Sequence, residues 1–140
     1  MIISSSKLRK RFKEQWPGLT QIWLRNKEYT VPTLLDVMRV TSIPEYICKL
    51  PVINGFNECE NYALFLHAKV KEHIVKEGLI KLNWAFGDFI CEKETMFENR
   101  VIHTACICLC EEGFYFIEPL EQNKILEVNN DYKPFMINLM

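Results

Sequence analysis

Between Glu58 and Glu77 apolar residues recur at helical spacing, and from Leu79 onward they alternate one by one. That change of period constrains this chain more than any other feature. Tyr62, Leu66, Val70 and Ile74, with Ala63 beside them, form one apolar stripe, while Lys69, Lys71, Glu72 and Lys76 take polar positions. Asn57 is placed to cap the helix, Glu60 completes a capping-box-like pair with it, and Gly78 suits a left-handed residue past the end. At 1.5 Å per residue the helix is about 30 Å long.

Beyond it, 79–91, 101–110, 114–118 and 124–128 read as strands, with 135–139 as a last one and Glu111-Glu112-Gly113 as a turn. A helix that buries its stripe against the strands that follow is an α+β arrangement, here a central helix on an antiparallel sheet. Upstream, Trp16-Pro17-Gly18 marks a turn, and Thr20 to Val31 reads as two short strands around Arg25-Asn26-Lys27. Thr33 to Val40 reads as a short helix capped by Thr33. Pro44 and Pro51 break the approach to the central helix.

With 140 residues, 49% of them hydrophobic and 25% charged, the chain has material for one core, and a single domain over 1–140 is expected. A net charge of −1 gives no reason to expect nucleic acid as a partner. The one basic run, Lys7 to Lys13, reads as a solvated N-terminal arm or helix face. No stretch reaches the roughly 20 apolar residues a membrane span needs. Met1-Ile2-Ile3 gives way at once to serines and bases, without a signal-peptide core, so a soluble cytoplasmic protein is expected, in the host cytoplasm if virus-encoded. The six cysteines are then expected as free thiols. Cys106, Cys108 and Cys110 alternate along one strand and share a face, which suits small buried side chains and not the tetrahedral wrapping of zinc. Trp84 reads as core.

Cys59 stands out because it falls in the first helical turn, where unpaired N–H groups and the positive dipole end favour a thiolate. Glu58 and Glu60 oppose this, so a histidine or a bound cation is needed to offset them. His103 stands near the start of a strand, followed on its own face by Ala105, Ile107 and Leu109. Glu118 ends the next strand, before Pro119, where a carboxylate can orient an imidazole. If the intervening turn is Glu112-Gly113, Glu118 faces Ile107; a four-residue loop sets it opposite Ala105, diagonal to His103; a three-residue loop turns it to the wrong face.

"NECENYALFLH", "IHTACICLCEEGFYFIEPL" and the spacing between them resemble the papain-like cysteine protease domain at the C-terminus of the Marasmius oreades agglutinin and related phage-encoded stand-alone domains. The resemblance spans about residues 54–126. It implies a papain-like fold, Cys59 as nucleophile, His103 as base and Glu118 as the orienting residue, acting on a protein or peptide substrate. It also implies calcium near the nucleophile, with Glu60 and Glu58 as ligands, although Asn61 stands where relatives often carry a second acid. The backbone N–H of Cys59 and the side chain of Asn54 are the expected oxyanion donors. Two alternatives stay open: a CHAP-type or NlpC-type peptidoglycan amidase or endopeptidase, and an interaction protein that keeps the fold without turnover.

Overall fold

A computed structural model describes residues 1–53, 58–77, 83–94 and 100–139. Its elements run β1 (Ile2–Ser4), α1 (Ser5–Gln15), β2 (Gln21–Leu24), β3 (Glu28–Thr30), α2 (Leu34–Thr41), α3 (Cys59–Lys76), β4 (Phe86–Glu94), β5 (Arg100–Cys110), β6 (Gly113–Glu118), β7 (Lys124–Glu127) and β8 (Tyr132–Leu139), with short 3₁₀ turns at Pro44–Tyr46 and Pro119–Glu121. The fold is α+β. Six strands form one sheet in the order β2-β8-β4-β5-β6-β7, and β1 pairs with β3 apart from it.

The expected wholly antiparallel sheet needs one correction. β2 lies parallel to β8, with Ile22 opposite Ile137, while the other pairs in this sheet are antiparallel. Only strands joined by a tight turn are obliged to reverse direction. β2 and β8 are separated by most of the chain, so burial of Ile22 and Leu24 against the core sets their direction instead.

Helices cover both faces of the sheet. α1 starts where the Ser4 hydroxyl accepts the Lys7 N–H at 3.3 Å, and its Leu8 and Phe12 are fully buried. The basic run is therefore the outer face of a helix whose inner side is core, and not a free arm. On β5, Ala105, Ile107 and Leu109 point to this side. Cys106 and Cys108 point to the other, against Ala63, Leu66 and Val70 of α3, as their alternation predicts. Burying a side chain the size of Leu66 contributes about 1.5–3 kcal/mol. Trp84 is core on the α3 side. Among the described residues no helix is long and apolar enough to cross a membrane.

Two details of register place the site. Cys110 faces Gly113 across a two-residue loop, Glu111-Glu112, and Ile107 faces Phe116. Gly113 has φ 133°, a conformation that side chains disfavour. Continuing this register sets Glu118 across from Ala105, diagonal to His103. On the other side of the sheet a bulge interrupts β4 and β8: Ile90 faces Met136, but Cys91 faces Pro134, so Phe135 is passed over. Alternation on β8 flips there. Tyr132 consequently points to the α1 side, like Ile137 and Leu139.

Candidate active site

α3 begins at Cys59, with the Asn61 and Tyr62 N–H groups donating to the Glu58 carbonyl at 3.0 and 3.3 Å. Glu58 occupies the cap position without a side-chain cap bond. Asn57, Gly78 and the oxyanion candidate Asn54 lie outside the described residues. The N–H of Cys59 has no carbonyl one turn back within the helix, which leaves it for another acceptor.

The structure brings His103 and Glu118 together. His103 is 7% exposed and Glu118 1%, and Nε2–H of His103 donates to Glu118 Oε2 at 2.7 Å. The same oxygen accepts the Tyr132 hydroxyl at 3.0 Å, and Oε1 accepts the Leu120 N–H at 3.3 Å. Burial pushes the Glu118 carboxyl up, but the His103 bond and charge, the Tyr132 bond and the charge of Lys93 outweigh it and hold it below the usual range. An ionised Glu118 can only accept, so a neutral His103 carries its proton on Nε2 and presents Nδ1 as the free lone pair.

Cys59 approaches from the first turn of α3, a helix whose later turns pack on the other face. The N–H of Leu109 bonds the Ala85 carbonyl on the β4 side, so by alternation the N–H of Thr104 points to the β6 side. β6 pairing ends at Cys106–Ile117. Past that end the strand edge is open among the described residues, and there the Cys59 thiol meets the N–H and hydroxyl of Thr104. Its Sγ also donates to Glu60 Oε2 at 3.6 Å. Burial raises the thiol, the Thr104 N–H lowers it, and the Glu60 bond and charge raise it again; the balance is above the ordinary value. Cys59 thus lies beside the residue that follows His103, yet no hydrogen bond of the described residues joins the two. Of the residues the sequence singles out, the structure joins His103 to Glu118 and sets Cys59 beside Thr104; the contacts made by Thr104 and Tyr132 have no signal in the sequence reading.

Glu60 and Glu58, the calcium ligands that the resemblance implies, belong to no cluster of three or more His, Cys, Asp or Glu side chains among the described residues. Calcium takes six to eight oxygens. Glu60 is engaged with the thiol instead.

No family model matches the chain, and no curated protein sequence matches it. Solved structures do. The chain is similar to PSL1a in a structure described as the PSL1a–E64 complex, with TM-score 0.71 at 15% identity, over 99% of this chain and 51% of that one. It is also similar to the Polyporus squamosus lectin bound to a human-type influenza-binding epitope, with TM-score 0.74 at 13% identity, over 99% of this chain and 49% of that one. The chain spans about half the length of these neighbours and shares its fold with that half.

Proposed function

We propose that the protein is a cysteine hydrolase of papain-like architecture that cleaves a peptide or amide bond. One observation carries the reading: a buried imidazole held through Nε2 by an ionised carboxylate, next in sequence to the residue that contacts a thiol at a helix start. Nδ1 of His103 removes the Cys59 proton as sulfur attacks the carbonyl carbon. The tetrahedral oxyanion forms near the Cys59 N–H. The C–N bond then breaks, His103 returns the proton to the leaving amine, and a thioester remains. Water, deprotonated by the same Nδ1, cleaves the thioester and restores the thiol. Because the resting thiol is raised, proton removal accompanies attack and no stored ion pair is required.

The likeness to PSL1a supports this reading through E64, the compound in that complex, which serves as a ready probe here. The test is alkylation at pH 7 with iodoacetamide and with E64, followed by mass spectrometry. Modification of Cys59 faster than of Cys48, lost in His103→Ala, supports the hydrolase. Equal, slow labelling of both overturns it. Release of fragments from purified cell wall, with no cleavage of denatured protein, moves the substrate to peptidoglycan.

A second reading, a binding module without turnover, is favoured by the thiol's contact with Glu60 and by the lectin neighbour's bound glycan epitope. Retention of the protein on immobilised sialylated trisaccharide, unaffected by Cys59→Ala, is its expected signature.

A further inference from the structure

We propose that Tyr132 is the positioning residue of the site: its hydroxyl clamps Glu118 Oε2 so that the carboxylate holds His103 Nε2–H in one orientation. The inference rests on the hydrolase reading, but its geometry stands on four observations. The Tyr132 hydroxyl and His103 Nε2–H converge on the same oxygen, at 3.0 and 2.7 Å. The other oxygen is fixed by the Leu120 N–H, so rotation of the carboxylate would break several bonds at once. The Tyr132 ring packs against His103 with centroids 5.9 Å apart, and the Lys93 ammonium lies over the Tyr132 ring, 5.1 Å from its centroid. Finally, the β8 bulge puts Tyr132 on this face at all; an unbroken strand would turn it to the α3 side.

The bulge matters chemically because a carboxylate with two donors on one oxygen and one on the other has no alternative rotamer of equal satisfaction. Free of the phenol, Glu118 keeps one donor besides His103 among the described residues, the Leu120 N–H, and the imidazole plane loosens with it. Outer partners of this kind hold reacting side chains in place, and their loss costs about 10–100-fold in activity where measured in metal sites.

The experiment is Tyr132→Phe, which keeps the ring and removes the hydroxyl. Two readouts are taken. On a cleaved peptide, kcat is expected to fall about tenfold at unchanged KM. In NMR spectra, the downfield His103 Nε2–H proton is expected to exchange with water about tenfold faster than in the parent protein. The second readout needs no activity. If the parent Cys59 is no more reactive than Cys48 but the Nε2–H effect is seen, the hydrolase reading falls and the clamp stands. If the parent cleaves peptide and Tyr132→Phe leaves both kcat and the Nε2–H exchange unchanged, the clamp is overturned and the hydrolase stands. If Tyr132→Phe does not fold, the parent decides: a Tyr132 hydroxyl proton seen in NMR spectra with a through-space contact to His103 Nε2–H supports the clamp, and a hydroxyl proton that exchanges too fast with water to be seen overturns it.

Discussion

The Glu118 carboxylate accepts from His103 Nε2 at 2.7 Å across neighbouring strands, fifteen residues apart in the chain and shielded from solvent on both sides. A buried charge of this kind makes folding sensitive to acid. Glu118 is held below its ordinary value, which is about 4.3 in an unfolded chain. Its contribution is therefore fully present above that pH and is lost as pH falls through the lower, folded value.

Urea midpoints measured from pH 7 to pH 3 check this. The parent protein is expected to lose stability toward the acid end. Glu118→Gln, which cannot ionise, is expected to be less stable at pH 7 by about 1–3 kcal/mol, through the weakened buried hydrogen bonds, and to show a shallower acid limb.

Reactivity of Cys59 is the next prediction. Glu60 raises the thiol through a bond and through charge, after burial has done so. Glu60→Gln is expected to increase the iodoacetamide rate at pH 7 by up to about tenfold, since one pKa unit is a tenfold change in thiolate. Cys91, pushed up to about 12, and the buried Cys106 and Cys108 are expected to stay unlabelled until the protein unfolds. Peptide mapping before and after denaturation reads both effects.

Gly87 faces Leu139 where β4 lies close against β8. A methyl group there would overlap the Asn138 carbonyl oxygen and come within 2.9 Å of the Leu139 side chain. Because the obstacle is backbone, Gly87→Ala is expected to destabilise by about 1–3 kcal/mol or more, measured by urea unfolding.

Asn123 ties the α2 region to the segment behind Glu118. It is buried, has φ 59°, and its Nδ2 donates to the Thr41 and Tyr46 carbonyls at 3.0 Å each. Asn123→Ala leaves both carbonyls unpaired and puts alanine in a left-handed conformation. A loss of about 2–4 kcal/mol in thermal or urea unfolding is expected.

How much of this was legible in the chain follows from which forces are local. The stripe Tyr62-Leu66-Val70-Ile74 and the alternation from Val101 to Cys110 declare α3 and β5, because each element's apolar residues repeat at its own period. The Thr33 cap was legible for the same reason: its hydroxyl takes the Asp36 N–H at 3.1 Å, three residues away. Glu118 was legible only up to a choice of loop, which the Cys110–Gly113 pair resolves. Tyr132 was not legible. The strand was read as starting at Phe135, and the residue's orientation depends on a bulge created by pairing with β4, far off in sequence. Pro134 is the one local sign, since a residue without an N–H weakens a ladder. The contact between Cys59 and Thr104 was equally hidden, because it depends on where β6 stops.

The sheet order carries a consequence for synthesis. β8 lies between β2 and β4, so the place that joins β2 to the rest of the sheet stays unfilled until residue 139 has left the ribosome. Until then Phe89 lacks Ile137 and Tyr132, and Glu118 lacks the phenol. The full set of bonds on Glu118 therefore closes only when translation of this segment is done.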